Sequence, residues 1–71
     1  MAADERVRLL RALSALARAS RDLDALVETE SGHLQAVLLE LSADAAFSLR
    51  RLANVAKLQG VPSEAIESAK R

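Results

Sequence analysis

Two pairs of closely spaced carboxylates are the groups in this sequence that come nearest to catalytic or cation-binding residues. They are Asp22 with Asp24 and Glu28 with Glu30. Because residues two apart on a helix point in different directions, the members of each pair would not face each other. Neither a glycine-bearing calcium loop nor a Glu-x-x-His motif accompanies them. We therefore interpret both pairs as a solvated acidic surface.

The other reactive side chains also lack the neighbours that catalysis requires. His33 is the only histidine, and as a pH switch or metal ligand it would need Glu30 or a symmetry-related copy beside it. We interpret His33 as an exposed turn residue. No serine lies in a Gly-x-Ser-x-Gly turn, no glycine-rich phosphate loop is present, and cysteine is absent. We expect a protein that is not an enzyme and has no cofactor, metal site or small-molecule substrate.

The charged residues are sorted into blocks along the chain, although the formal net charge is zero. Ionised residues are basic from Arg6 to Arg21, acidic from Asp22 to Asp44, and basic again from Arg50 to Lys57. A turn near Ser31–Gly32 would bring both basic blocks to one end. That end is a candidate contact for an acidic partner or for phosphates, and a solvated surface with intersubunit salt bridges is the alternative. Its residues are Arg6, Arg8, Arg11, Arg50, Arg51 and Lys57.

The composition, rich in Ala and Leu with only two glycines and one proline, is typical of long helices. We predict a single all-α domain over residues 1–71. Helices over about 4–29 and 33–59 would form an antiparallel hairpin, and a short third helix would span about 63–70.

Individual residues indicate where these helices begin and end. Asp4 and Ser31 are the predicted N-caps of the two long helices. Ser42 could cap a fresh start, which would break the second helix there. Gly60 stands where a left-handed C-terminal cap would end that helix, and Pro62 prevents its continuation.

Apolar residues recur along both long helices at alternating steps of three and four, the spacing of helices that pack side by side. This pattern predicts a hairpin seam, the set of residues through which the two long helices pack on each other. The predicted seam residues are Leu9, Leu13, Leu16, Leu23, Val27, Leu34, Leu38, Leu41, Leu52 and Val55.

Other large apolar residues lie outside or at the edge of this predicted seam. Two helices share only one seam, so these residues would remain in water, and exposed apolar patches usually mark interfaces. We expect a four-helix-bundle-like homodimer, or binding to another helical protein, with the charged ends favouring an antiparallel arrangement. A monomeric three-helix domain is the alternative. The candidate interface residues are Leu39, Phe47, Leu58, Leu10 and Leu26.

The last quarter of the chain carries small and apolar residues in the order of a DNA-binding motif. The matching positions are Val55, Ala56, Gly60, Val61, Ile66 and Ala69. This segment resembles the helix-turn-helix of LacI-type and related bacterial regulators, and its place after a helical region is similar to the plan of the Fis family. The resemblance implies DNA binding by residues 52–71. Gln59, Glu64 and Glu67 depart from the pattern, and a helix cap followed by a packing helix is the alternative.

Taken together, these patterns favour a non-enzymatic protein–protein interaction module, such as a small adaptor, chaperone or inhibitor of bacterial or phage origin. A dimeric DNA-binding transcriptional regulator is the alternative. Charge balance makes nucleic acid the less favoured partner. The polar N-terminal stretch and the missing cysteines lead us to expect a cytoplasmic location, and no apolar run approaches the length of a membrane span.

Overall fold

The chain folds into three α-helices, of which the first two form a hairpin. A computed structural model describes residues 2–71 and places α1 at Ala3–Thr29, α2 at Gly32–Leu58 and α3 at Ser63–Ala69. Helices α1 and α2 each contain 27 residues and pack against each other along their length. No strand occurs within the described residues. The prediction of an all-α hairpin with a short third helix is therefore confirmed.

Polar contacts across the turn close the hairpin. The Gln35 side chain donates from Nε2 to the Val27 carbonyl oxygen at 3.0 Å, which satisfies a carbonyl in the last turn of α1. Gly32 begins α2 with a φ of 67°, a conformation that costs a residue with a Cβ atom more than glycine. Ser31 occupies the N-cap position of α2, but its side chain makes no capping hydrogen bond.

One predicted helix boundary is wrong. Asp4 is not the N-cap of α1; that position belongs to Ala2, and Asp4 lies in the first turn, where a carboxylate is still favourable near the positive end of the helix dipole. The sequence left open whether α2 breaks near Ser42, and no break occurs there. Helix α2 continues through Ser42, whose hydroxyl donates a hydrogen bond across the hairpin to the Asp24 carboxylate. That hydroxyl is therefore engaged with α1 instead of capping a new helix.

The end of α2 is a Schellman motif, as the Gly60 prediction implied. The Gly60 amide donates to the Lys57 carbonyl and the Val61 amide donates to the Ala56 carbonyl, both at 3.0 Å. Gly60 has a φ of 89°, in the left-handed region. Val61 and Ala56 are both buried in the same apolar cluster, which supplies the hydrophobic contact typical of this cap. Pro62 then precedes α3.

The apolar core lies at the end of the hairpin where α3 packs. Leu13, Ala56, Val61 and Ile66 form one buried cluster there, and Arg21 fixes the end of α3 by donating to the Lys70 carbonyl at 2.8 Å. The opposite end consists of α1 and α2 alone. The accessible surface is 5111 Å², whereas a compact protein of 7.6 kDa would expose roughly 4,300 Å². The chain is accordingly elongated, at 46 × 17 × 16 Å.

Replacing Gly60 by alanine should destabilise the fold by about 1 kcal/mol, because alanine is strained at positive φ. A Cβ atom at Gly60 would meet no atom within 4 Å, so the loss would come from backbone conformation alone. Gly60→Asn is the matched control, since asparagine tolerates the left-handed conformation better. Urea unfolding followed by circular dichroism measures both variants. Equal stability of Gly60→Ala and wild type would contradict the cap.

Candidate interaction surface

The predicted seam residues of α1 face α2, but only part of the predicted α2 seam does so. All five on α1 are at least partly buried, as are Leu38 and Leu52 on α2. Leu34, Leu41 and Val55 are instead 52%, 46% and 47% exposed, so their placement in the seam was wrong. At these three places the inward residue of α2 is the next one along the chain, whereas Leu38 and Leu52 are placed as predicted. The residues of α2 that face α1 are Gln35, Leu38, Ser42, Ala45, Leu49, Leu52 and Ala56.

Hydrogen bonding explains this shift of one residue. Gln35 and Ser42 occupy inward positions because their side chains bond to groups of α1. Because both are polar, the pattern of apolar residues indicates their neighbours Leu34 and Leu41 instead. Polar residues at contact positions are a known device for setting the register of packed helices, and this is the signal that the sequence interpretation missed.

Helix α3 covers one side of the hairpin. Leu10 lies on that side, where it packs against the core together with Ala65 and Ala69. Its predicted role as an outer interface residue was therefore wrong, because α3 shields it. The other candidate interface residues, Leu26, Leu39, Phe47 and Leu58, are exposed, with Leu58 at 79%.

The side of the hairpin opposite α3 has no covering element within the described residues, and we call it the open face. Arg8, Ala12, Val55 and Gln59 line a shallow groove there between α1 and α2, and α3 contributes no residue to it. Leu34 and Leu41 precede Val55 on α2 at multiples of seven residues and so share its face. The open face is therefore apolar at both ends of α2.

Leu39 and Phe47 lie on a different part of α2, toward the outside of the hairpin. Both are more than half exposed. The Arg51 guanidinium lies 5.7 Å from the centre of the Phe47 ring, which is a cation–π distance. At an exposed site such a contact contributes about 0.5–1 kcal/mol. Phe47 is thus contacted by Arg51 and still remains 55% exposed.

The predicted basic residues do not form one cluster. All six are exposed, but Arg8 lines the groove of the open face and Arg11 lies on the α3 side near Val7 and Leu10. Only Arg50, Arg51 and Lys57 share a site, a cleft between α2 and α3. Lys70 also lines this cleft and forms an ion pair with Glu67 at 3.6 Å. Sequence reasoning missed Lys70 because only the docking of α3 brings it there.

The groups considered first for chemistry remain on the surface. His33, Asp22, Asp24 and Glu28 are exposed, and Glu30 is partly buried at the turn. Within residues 2–71, no three His, Cys, Asp or Glu side chains come together as metal ligands would. None of the described helices is both long enough and apolar enough to cross a bilayer. No protein-family model, curated protein or solved structure matches this chain.

Proposed function

We propose that this chain is a non-enzymatic protein–protein interaction module, a small cytoplasmic adaptor, chaperone or inhibitor of bacterial or phage origin that binds its partner by helix–helix packing. The observation that carries the proposal is the amount of large apolar surface outside the core. Contiguous exposed apolar residues usually mark interaction sites, and Leu34, Val37 and Leu41 stand at neighbouring positions on α2. The exposed large hydrophobic residues are Val7, Leu26, Leu34, Val37, Leu39, Leu41, Phe47, Val55 and Leu58.

The spacing of these residues suits a helical partner. Leu34, Val37 and Leu41 stand at i, i+3 and i+7 on α2, the arrangement by which one amphipathic helix anchors on another. Leu39 and Phe47 add anchors on a neighbouring strip of the same helix. The acidic turn end and the basic opposite end would orient the partner more than they would strengthen its binding. A second copy of this chain is such a helical partner.

Replacing Leu34, Leu41 and Leu58 together by serine should abolish association while the chain stays helical, because all three are exposed in the single chain. Light scattering across a concentration series measures association, and circular dichroism measures helix content. The matched control replaces exposed Ala36 and Ala43 on the same helix by serine. A wild-type chain that stays monomeric would exclude self-association, and a triple variant that associates like wild type would contradict the role of these side chains.

A second candidate function is that of a dimeric DNA-binding regulator using residues 52–71. The observation that favours it is the cleft between α2 and α3, since four cations line one site. Against it, Glu64 and Glu67 lie on the exposed side of α3, where they would repel phosphates. Protein interaction is therefore the better supported function. The cations of the cleft are Arg50, Arg51, Lys57 and Lys70.

If the chain binds duplex DNA, replacing Lys57, Lys70 and Arg71 by alanine should weaken binding and flatten its salt dependence. Each lost phosphate contact lowers the slope of log K against log salt by about 0.9. The control removes equal charge from α1 with Arg8→Ala, Arg11→Ala and Arg18→Ala. Fluorescence anisotropy with a labelled duplex at several salt concentrations gives both slopes. Binding that survives the first triple substitution would count against this function.

A further inference from the structure

Helix α2 carries a second line of residues with coiled-coil spacing that α1 does not use. Its steps are three and four in strict alternation, which is the heptad pattern. Every member is exposed. Val55 lies in the groove of the open face, and Arg51 also reaches the cleft between α2 and α3. We call this line the outer row. The outer row is Leu34, Val37, Leu41, Asp44, Ser48, Arg51, Val55 and Leu58.

The outer row lies at the angle that a four-helix bundle requires. Up to Val55, each of its members precedes by one residue a member of the row that packs on α1. One residue is a rotation of about 100° around an α-helix. In a square bundle, each helix contacts two neighbours that lie about a right angle apart. Helix α2 contacts α1 through its inward row, and its outer row lies at the angle at which a second neighbouring helix would pack.

The outer row is spaced symmetrically about Ala46, and its two outermost pairs are identical, whereas its four central members do not match in type. Leu34 and Leu58 are equally distant from Ala46, and so are Val37 and Val55. Antiparallel pairing of α2 with a second α2 would therefore bring leucine to leucine and valine to valine. In a twofold interface, residue i of one copy meets residue j of the other and j meets i, so each of these two apolar contacts would form twice.

The polar centre of the outer row also selects the antiparallel orientation. In that orientation Arg51 of the second copy lies level with Leu41, less than one turn from Asp44. Each Asp44 is then close to an Arg51 of opposite charge. A parallel pairing would place Asp44 against Asp44 and Arg51 against Arg51, and such like-charge contacts are unfavourable. The charges of Asp44 and Arg51 thus favour the antiparallel orientation of a contact that is otherwise mainly apolar.

In the same arrangement, α1 would pair with α1 of the second copy. The hydrogen bond between Ser42 and Asp24 sets the hairpin register, which places Ala46 beside the region of Ala19. A twofold axis near Ala19 would bring Ala12 opposite Leu26, a small residue against a large one. Such alternation lets facing layers interdigitate. Arg8 and Glu30 are also equally distant from Ala19, so the same axis would place them opposite each other with opposite charges.

We propose that two copies of this chain associate through their open faces as an antiparallel four-helix bundle, with the twofold axis passing near Ala46 and Ala19. The proposal rests on the proposed function, because it identifies the helical partner as a second copy. Helix α3 lies on the other side of each hairpin and takes no part. Phe47 lies outside the outer row, and of the residues that line the cleft between α2 and α3 only Arg51 takes part in the interface.

The variant Val37→Cys/Val55→Cys tests the register, because the chain has no cysteine of its own. Positions 37 and 55 are 18 residues apart on α2, which is about 27 Å, too far for a disulfide within one chain. In the proposed dimer they meet across the axis in two places. Mild oxidation in a glutathione buffer should therefore give a covalent dimer, resolved on a non-reducing gel. The single variants Val37→Cys and Val55→Cys should stay unlinked.

The outcomes separate this proposal from the proposed function. A linked double variant with unlinked single variants supports the antiparallel register. Linked single variants would indicate a parallel dimer and overturn it. An unlinked double variant that is still dimeric by light scattering would also overturn it, while leaving helix–helix docking intact. A chain that is monomeric at every concentration would overturn both the register and the self-association.

Charge reversal gives a second test that does not depend on disulfide geometry. Asp44→Arg alone and Arg51→Asp alone should each weaken dimerisation at least about tenfold at low salt. The combined variant should restore it, because the two charges exchange places across the interface. Both positions are exposed in the single chain, so folding is preserved. Sedimentation equilibrium measures the dissociation constants. No recovery in the combined variant would overturn the antiparallel pairing.

Discussion

The constraint on which this structure depends is that two helices can bury only one seam between them. Helices α1 and α2 contain 27 residues each, about 40 Å of length, whereas α3 has seven residues and spans about 10 Å. A third layer therefore exists at only one end and on only one side. Burial is concentrated there, and the apolar residues at the turn end have no partner within the chain.

The two rows of α2 have different roles. The inward row sets the register of the hairpin, and the outer row is the one that we propose for association. The inward row contains Gln35 and Ser42, which bond to α1 and allow one alignment of the hairpin. The outward row contains Leu34 and Leu41 at the positions just before them. Large apolar residues turned outward are costly in an isolated chain. A second surface that covered them would remove this cost, and this is the physical reason for the association that we propose.

The features predicted correctly from sequence are those determined by local interactions. The hairpin turn and the Gly60 cap depend on a few neighbouring residues, so composition and spacing were sufficient. The inward face of α2 was not predictable from apolar spacing, because two rows with the same period lie one residue apart. Leu10 and Lys70 depend on where α3 docks, which involves residues far apart in sequence. The predicted basic cluster failed for the same reason, because the rotation of each helix about its axis in the packed structure decides which side each basic residue faces.

In the proposed dimer, the segregation of charge would make self-pairing directional although the net charge is zero. Between residues 6 and 57, the basic residues lie toward the end away from the turn and the acidic residues toward the turn, so an antiparallel copy would place unlike charges together. In the proposed dimer Arg51 would turn to the interface, while Arg50, Lys57 and Lys70 of the cleft would stay accessible on each copy. The proposed self-association and the binding of an anionic third partner would therefore share only Arg51. A dimer of this design would present two equivalent outer sites related by the twofold axis.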